Sequence, residues 1–398
     1  MDPDVLVVGA GPAGAAVSIL LARQGYRVLL VDRATFPRDK PCAEYLSPAC
    51  TPLLAELGVL EAILATAPQQ LQGMRITNHR GRSCWGRFVQ QGKQHYGLAL
   101  PRLILDHLLI QQAAHVGAVV RTGFWARHPL VEQQMVRGVM GQEDGRAVSL
   151  RARVVIGADG LHSTLARRLG LIRRVRWLQH VALVTHYADV RAQQPWGEMF
   201  LIPEGYIGLA PVGERLMNVS VVVQAARLAA APGACADFVE QTLQVHAELG
   251  PRFAGARRVK AVRAIGPMAQ RTVRPQYGGI VLIGDAAGFF DPFTGQGIYL
   301  ALCSAALAAL TVQRALSTDD LSRQSLQAYW RAHRHAFRAK YRFSSLIQRG
   351  LRRAWLANSI IERLAQRPLL ADTVVGVAGD LVPPGAVLSW RFASQLLG

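Results

Sequence analysis

Cysteine is scarce in this chain of 398 residues, and its five cysteines lie far apart (Cys42, Cys50, Cys84, Cys235 and Cys303). They form no CxxC pair and no spacing typical of metal ligands, which argues against a disulfide framework and a zinc site. The eleven histidines contain no HxxxH or HExxH pattern. No Gly-x-Ser-x-Gly elbow surrounds Ser163, which disfavours a serine hydrolase. We therefore expect reduced thiols and no bound metal.

Signals for export or for crossing a membrane are also missing. Asp2 and Asp4 stand where a signal peptide would carry Lys or Arg, so we expect no export segment. The longest apolar run, residues 298–312, is shorter than the ~20 residues that a membrane-spanning helix needs. These patterns predict a cytoplasmic protein, and peripheral association with a membrane is left open.

Acidic residues are outnumbered by basic ones. The chain has 45 Lys and Arg against 26 Asp and Glu, a formal net charge of +19. In residues 321–370, Glu362 is the one acid beside eleven basic residues (Arg323, Arg331, Arg334, Arg338, Lys340, Arg342, Arg349, Arg352, Arg353, Arg363 and Arg367). Such a stretch can be a solvated helix face, or it can bind an anionic membrane surface or an acidic carrier protein. No nucleic-acid-binding module accompanies it, so we expect no nucleic-acid partner.

The length of 398 residues allows roughly two or three domains, and the hydrophobic residues, at 51% of the chain, suffice for a packed core. The first apolar strand, residues 5–8, runs into a Gly-x-Gly-x-x-Gly turn at residues 9–14 and an Ala-rich helix at 15–24. A second strand, residues 27–31, ends in Asp32. In this order the glycines let a pyrophosphate approach a helix N-terminus, and the carboxylate can accept hydrogen bonds from ribose hydroxyls. The pattern predicts dinucleotide binding.

Two later turns follow buried strands in the same way. The strand at residues 154–156 runs into Gly-Ala-Asp-Gly at 157–160, and the strand at 280–283 runs into Gly-Asp-Ala-Ala-Gly at 284–288. A further glycine-rich stretch leads into a long helix, residues 298–316, whose N-terminus carries a partial positive charge. Open α/β sheets bind ligands at the carboxyl ends of their strands, so we expect these turns to meet at one site.

Together these motifs resemble those of the FAD-dependent oxidoreductases that include the para-hydroxybenzoate hydroxylase-like monooxygenases, the flavin-dependent halogenases and the geranylgeranyl reductases. The resemblance covers residues 5 to about 316, with three motifs in the family's order. It implies an α/β fold, in which a Rossmann-type FAD-binding domain is combined with a discontinuous β-sheet substrate domain and a helical C-terminal region. The implied FAD-binding domain comprises residues 1–72, 97–172 and 268–330, the substrate domain 73–96 and 173–267, and the helical region 331–398.

The resemblance also implies how FAD is held. The adenosine ribose would lie at Asp32, the pyrophosphate over residues 11–14, the ribityl chain near Asp285 and Arg102, and the ring against residues 292–297. A helix N-terminus beside the ring would stabilise the negative charge of reduced flavin. The cofactor-binding residues expected on this basis are Gly9, Gly11, Ala13, Gly14, Asp32, Arg33, Cys42, Arg102, Asp159, Gly160, Gly284, Asp285, Pro292, Gly295, Gln296 and Gly297. No second dinucleotide unit is present, so NAD(P)H, if it is the electron donor, would bind transiently.

Two stretches are similar to the geranylgeranyl reductase branch of this family. Residues 40–48 resemble its Pro-Cys-Gly loop, and residues 205–211 resemble its Tyr-x-Trp-x-Phe-Pro strand. The chain departs from both, because Ala-Glu-Tyr at 43–45 replaces small residues, and Gly208 and Ala210 replace two large aromatic residues. We expect a pocket that is wider or differently shaped than in that branch. The Trp-x-Trp-x-Ile-Pro signature of the halogenases is absent, which disfavours halide oxidation.

Three functions are left open. A reductase would transfer hydride from FAD N5 to a carbon–carbon double bond of a hydrophobic substrate of isoprenoid, quinone or polyketide type. Cys42 and Tyr206 are then the candidate catalytic residues for the proton, although Cys42 can also be a small buried apolar residue. A monooxygenase would use oxygen and the flavin C4a-hydroperoxide to hydroxylate or epoxidise an aromatic or polyketide-type substrate. A non-catalytic FAD protein would serve as a redox carrier or scaffold.

Overall fold

A computed structural model describes residues 2–231 and 233–397 of the chain. The α-helices of these residues are Pro12–Arg23, Cys50–Glu56, Leu60–Ala65, Arg102–His115, Thr164–Arg168, Ala225–Ala230, Cys235–Gln244, Leu249–Phe253, Gly297–Ser317, Arg323–Leu351, Ala354–Ala365, Pro368–Ala378 and Trp390–Leu397. Short 3₁₀ helices are formed by Gly284–Ala287, Pro292–Thr294 and Pro384–Ala386. With the sheets described below, they form the α/β fold that the sequence predicted.

Five parallel strands form the sheet from which the glycine turns emerge. Their order across the sheet is Val119–Thr122, Val28–Asp32, Val5–Val8, Val154–Gly157 and Ile280–Leu282. The central strands are runs of Val, Leu and Ile because both faces of the sheet are covered. Helices Pro12–Arg23, Arg102–His115 and Gly297–Ser317 cover one face. A three-stranded antiparallel sheet and the helix Thr164–Arg168 cover the other.

The second large sheet has eight strands and lies beside the carboxyl edge of the parallel sheet. Its order is Arg257–Arg258, His180–Ala188, Leu216–Gln224, Gly205–Gly213, Gly197–Ile202, Gly73–Thr77 and Ser83–Arg87, and Arg263–Ile265 also pairs with His180–Ala188. A tight turn with Glu204 at φ +59° joins Gly197–Ile202 to Gly205–Gly213. Between the helices Cys235–Gln244 and Leu249–Phe253, Nδ1 of His246 accepts the N–H groups of Glu248 and Leu249.

The remaining strands form small sheets. These are Trp125–Glu132, Met135–Glu143 and Arg146–Arg151; Ile172–Arg174, Gln270–Thr272 and Gly288–Phe289; Tyr45–Leu46, Gly97–Ala99 and Gln69–Leu71; and the pair Val89–Gln90 and Lys93–Gln94. We keep the division of the chain into three regions as a proposal, in which the parallel sheet belongs to the FAD-binding domain and the eight-stranded sheet to the substrate domain.

The helix Gly297–Ser317 agrees with the predicted helix over 298–316, but it is longer than the apolar run 298–312 that had seemed too short to cross a membrane. Among the described residues, it is the one helix whose length and composition would allow it to cross a membrane. Half of its apolar window is buried inside the protein. Its Ala305, Ala308 and Val312 belong to the same hydrophobic core as the helix Pro12–Arg23. This burial is typical of a core helix.

Candidate functional site

A groove runs from the carboxyl edge of the parallel sheet to the eight-stranded sheet. Its space, counted out to the open mouth and the solvent there, is about 1220 Å³. The residues selected from the sequence that line it are Gly11, Ala13, Cys42, Arg102, Gly160, Tyr206, Gly284, Asp285, Pro292, Gly295 and Gly297. Those that do not line it are Gly9, Gly14, Asp32, Arg33, Asp159 and Gln296. The fold therefore brings residues from distant parts of the chain to one cavity.

Two glycines of the first turn let backbone segments pack closely. Gly9 has φ +103°, and a Cβ there would lie 2.4 Å from the carbonyl oxygen of Ala158. A Cβ on Gly14 would lie 1.8 Å from the carbonyl oxygen of Gly9. Neither position can accept a side chain without moving the backbone. These two glycines therefore shape the turn rather than line the groove.

The space beside Gly11 is open, and the guanidinium groups of Arg38 and Arg102 lie at its edge. A Cβ on Gly11 would have the Nη2 atoms of Arg38 and Arg102 as its nearest neighbours, each at 3.8 Å. Arg102 donates to the buried Asp106 from Nε and Nη2 at 2.7 Å, and Nη1 of Arg38 lies 2.8 Å from the same carboxylate. Burial disfavours charged Arg102, but Asp106 and Cys42 outweigh it and hold its pKa above the usual range. Two cations beside a helix N-terminus fit a pyrophosphate. Arg38, in an irregular loop, was missed from the sequence.

Asp32 stabilises the first turn through its backbone. Its Oδ2 accepts the N–H of Ala10 and its Oδ1 accepts the N–H of Ala34, both at 2.8 Å. Each carboxylate oxygen can accept a second hydrogen bond, so these contacts leave capacity for ribose hydroxyls. The side chain of Arg33 is exposed, and its contact with the cofactor stays a prediction.

Asp159 is first of all a helix cap. Its Oδ2 accepts the N–H groups of Thr164 at 2.7 Å and Leu165 at 3.3 Å, at the start of a short helix. Its Oδ1 is buried without a hydrogen-bond partner in the described protein, and burial raises the pKa of the carboxyl. An unpaired buried oxygen is satisfied when a ligand donates to it. Gly160, at φ +77°, lines the groove directly.

Two opposite charges, Asp285 and Lys40, line the polar part of the groove. Burial raises the pKa of Asp285, while Lys40 and Arg102 act in the opposite direction. Burial lowers the pKa of Lys40, and its Nζ is 3.3 Å from where a Cβ on Gly160 would stand. A carboxylate and an ammonium group in one partly dry cavity suit the recognition of a polyol or phosphate.

The long helix Gly297–Ser317 begins at the groove, as predicted. Gly295 precedes it in the left-handed region, at φ +68°, and a Cβ there would lie 2.6 Å from the ring of Tyr45. Pro292, Gly295 and Gly297 all line the groove. The unpaired N–H groups of the first helical turn therefore lie at the cavity, where they favour negative charge.

Gln296 belongs to a polar network behind this helix start. Its Nε2 donates to Oδ1 of Asp380 at 2.7 Å, and the same carboxylate accepts Ser47 Oγ at 2.8 Å and pairs with Lys340. Burial raises the pKa of Asp380 despite Lys340. The side chain of Gln296 is thus occupied by the C-terminal region, and a contact with the cofactor would have to use its backbone.

The Cys42 loop is fixed by a buried acid, Glu44, which in the sequence is visible only as a departure from the motif of the reductase branch. Glu44 is fully buried at φ +57°. Its Oε1 accepts the N–H of Arg102 at 3.0 Å, and its Oε2 lies 2.6 Å from Nε2 of His186. Nδ2 of Asn218 donates to that Oε2 at 3.0 Å and to the carbonyl of Cys42 at 2.8 Å. The loop is therefore bonded to both large sheet systems, with Cys42 on the groove wall.

Tyr206 lines the groove, but its hydroxyl is bound to a second buried acid. The hydroxyl donates to Oδ1 of Asp291 at 2.8 Å, and Oδ2 of Asp291 lies 2.7 Å from Nδ1 of His180. Gln348, on the helix Arg323–Leu351, donates to the same carboxylate. Burial and Asp291 raise the pKa of Tyr206 well above its usual value. Asp291 was missed because its partners are distant in the sequence.

The end of the groove at the eight-stranded sheet is apolar. It is lined by Ala182, Val184, Met199, Val222, Ile265 and Met268. A Cβ on Gly208 would lie 3.3 Å from the sulfur of Met199, so Met199 occupies part of the space that the missing aromatic residue leaves. Ala210 packs in a different core cluster, with Tyr45 and Phe88. The site thus combines a cationic, glycine-rich end with an end suited to a hydrocarbon.

Comparison with protein families matches residues 2–341 to an FAD binding domain. A digeranylgeranylglycerophospholipid reductase of Methanopyrus kandleri is 31% identical over 340 residues, which cover 83% of this chain and 85% of the relative. The enzyme of that name from Methanoculleus marisnigri is 27% identical, with coverages of 95% and 94%.

Solved structures show the same fold. A flavoprotein/dehydrogenase of Cytophaga hutchinsonii has a TM-score of 0.84 at 22% identity, over 95% of this chain and 93% of the other. A geranylgeranyl bacteriochlorophyll reductase-like protein of Thermoplasma acidophilum has a TM-score of 0.74 at 23% identity, over 100% and 96%. The predicted fold is confirmed by these likenesses.

Proposed function

Because this chain belongs to the FAD-dependent oxidoreductase family and carries its FAD-binding domain, we propose that it reduces carbon–carbon double bonds in an isoprenoid-like substrate. FAD is its cofactor. The observation that carries the proposal is the groove itself, whose cationic, glycine-rich end adjoins an apolar end without a charged side chain. Two relatives named as reductases of a digeranylgeranyl lipid support this substrate class.

We assign the parts of the cofactor to the groove by its chemistry. The space over Gly11, between Arg38 and Arg102, would hold the pyrophosphate. Asp285 would accept hydrogen bonds from the polyol chain. The N-terminus at Gly297 would face the ring. When bound, reduced FAD supplies the hydride for the reaction.

Saturating a double bond also needs a proton on the second carbon, and Cys42 is the proposed donor. Its loop is bonded to the Arg102 helix and to Asn218 of the eight-stranded sheet, which fixes its position on the groove wall. The Tyr206 hydroxyl is a weaker candidate because it donates to Asp291 and its pKa is raised. Tyr206 would then position the substrate with its ring, which packs edge-on against Phe293 at 5.0 Å.

The state of the cysteines also bears on the cellular compartment that we propose for the enzyme. All five cysteines are free, and reduced thiols persist in a reducing compartment. We therefore place the enzyme in the cytoplasm, where a transient NAD(P)H donor would also be available.

An anaerobic assay tests the proposal. The purified holoprotein, reduced chemically or with NADPH, is given a geranylgeranyl phospholipid, and mass spectrometry counts the hydrogens gained. Gain of two hydrogens per turnover without oxygen is expected. A strict need for oxygen, with one oxygen atom retained in the product, would overturn the reductase and identify a monooxygenase.

The role of Cys42 has its own matched variants. Cys42→Ser should lower turnover more than about a hundredfold while flavin absorbance is kept. Cys303→Ser, in the helix Gly297–Ser317, should leave turnover unchanged. Equal activity in the two variants would remove Cys42 from the mechanism.

A further inference from the structure

The helix Arg323–Leu351 presents one strongly basic face to solvent. Five of its arginines are exposed and recur at intervals of three, four or seven residues, which places them on one side of the helix (Arg331, Arg334, Arg338, Arg342 and Arg349). We call this the arginine face. The salt bridges of residues 2–231 and 233–397 include none of these five. Arg349 lies over the ring of Trp177, 5.6 Å from its centroid, and no carboxylate of the described residues forms a salt bridge with any of the five.

Large apolar side chains are exposed on the same helix and on the three helices that follow it. Leu346 lies within it and is 51% exposed. On the three helices that follow, Trp355, Leu369 and Trp390 are 67%, 80% and 84% exposed. The helix Ala354–Ala365 packs on Arg323–Leu351, on Pro368–Ala378 and on Trp390–Leu397. Exposed Trp and Leu on basic helices are typical of helices that lie in a membrane interface, where the ring or alkyl group enters the headgroup region.

We propose that the arginine face, together with Leu346, Trp355, Leu369 and Trp390, is a docking surface for an anionic phospholipid bilayer. Charge complementarity selects the anionic partner. The apolar residues favour a bilayer over an acidic protein, because the interface of a bilayer accepts exposed Trp and Leu side chains without a matching pocket.

The position of this face suits a substrate held in the membrane. Arg334 and Arg338 line a cleft under the helix, and no acidic residue lines it. Phe289 lines both this cleft and the main groove. The docked face would therefore lie close to the groove. Docking itself is independent of the proposed reaction, and it is measured without turnover.

Vesicle sedimentation tests the proposal. The native holoprotein should bind vesicles of phosphatidylcholine mixed with phosphatidylglycerol, and it should remain in solution with phosphatidylcholine alone. Arg334→Glu, Arg338→Glu and Arg342→Glu together should lower binding at least tenfold. The matched control reverses three exposed arginines elsewhere, Arg82→Glu, Arg137→Glu and Arg146→Glu, and should lower it less than threefold. Flavin absorbance and circular dichroism verify that both proteins are folded.

Fluorescence tests the apolar contacts separately. Phospholipids brominated in their acyl chains should quench part of the native tryptophan emission, and Trp355→Phe with Trp390→Phe should remove most of that quenching. Failure of the native protein to bind the anionic vesicles would overturn the proposal, as would equal losses in the two charge-reversed proteins. Binding to an acidic acyl carrier protein without vesicle binding would overturn it in favour of a protein partner.

Discussion

The two ends of the groove are held in place by different kinds of contact. At the end where we propose that the pyrophosphate binds, called the phosphate end, the turn of residues 9–14 is so tightly packed that Gly9 and Gly14 allow no side chain. At the proposed ring end, which we define by Cys42, Tyr206 and the loop 291–297, buried carboxylates connect separate elements. Glu44 joins the Cys42 loop to the eight-stranded sheet, and Asp291 joins Tyr206 and His180 to the loop before the long helix.

The difference follows from what each end has to do. A pyrophosphate is the same in every dinucleotide, so a rigid backbone turn can bind it. The ring end has to orient a reacting substrate, which side chains on independent elements can adjust. Buried acids with several partners hold such elements in register, since losing one partner leaves a buried polar group unpaired. Substitutions at the phosphate end should therefore disrupt the fold through steric clash. Substitutions at the ring end should destabilise it by leaving buried polar groups without partners.

The largest effect is expected at the phosphate end. Gly14→Val should abolish soluble, FAD-containing protein, because its first added carbon would lie 1.8 Å from the carbonyl oxygen of Gly9. Soluble yield and flavin absorbance measure this. Gly350→Ala is the control, since nothing lies within 4 Å of its Cβ; it should stabilise the protein by about 0.5 to 1 kcal/mol. A yellow, folded Gly14→Val protein would contradict the steric account.

At the ring end, Glu44→Ala should destabilise the protein by about 3 to 5 kcal/mol. It removes the buried partner of His186 and the acceptor of the Arg102 backbone N–H, and it leaves Asn218 with the carbonyl of Cys42 as its acceptor in this network. Urea unfolding measures the change. Glu240→Ala, which removes a partly exposed pair with Arg258 at 3.5 Å, should cost less than about 1 kcal/mol. Similar losses in both variants would mean that the Glu44 network contributes little.

Acid should weaken the helix that supports the ring end. Burial lowers the pKa of His333 to about 4, so the folded state keeps it neutral while the unfolded state protonates near its usual pKa. Its contribution to stability is therefore full above about pH 6.5 and is lost as the pH falls toward 4, by at most about 3 kcal/mol. His333→Leu should lose less stability than the native protein between those values in urea titrations. If both proteins lost the same free energy of unfolding between pH 6.5 and 4, the effect could not be assigned to His333.

The smallest effect should come from the Tyr206 hydroxyl. Tyr206→Phe should cost about 1 kcal/mol, because Asp291 keeps His180 and Gln348 as partners. Turnover should change less than about threefold. Tyr187→Phe is matched, since the Tyr187 hydroxyl is buried without a hydrogen-bond partner in the part of the chain that the structure describes, and it should cost nothing measurable. A loss of turnover above a hundredfold in Tyr206→Phe, with flavin retained, would make Tyr206 the proton donor.

How far the site could be predicted depended on how local its contacts are. The first turn, with Asp32 bonded to Ala10, lies within one strand-turn-helix-strand unit, and its spacing alone indicated it. Glu44 and His186 are 142 residues apart, and His180 and Asp291 are 111 apart. No sequence periodicity relates partners so far apart. The one signal in the sequence was Glu44 itself, an acid at a position where the reductase branch has a small residue. Gln296 was selected by its motif, yet its side chain serves the C-terminal region.

By itself the sequence determined the α/β fold, the dinucleotide-binding turn and FAD as the cofactor, because strand patterning and glycine spacing act over short stretches of chain. Tertiary structure decided which polar groups share the dry interior at the ring end. It also decided that Met199 lies against Gly208 and that five arginines of one helix are exposed on one side of it. Those outcomes depend on which distant elements pack together, since burial and pairing are properties of the assembled layers rather than of any one segment.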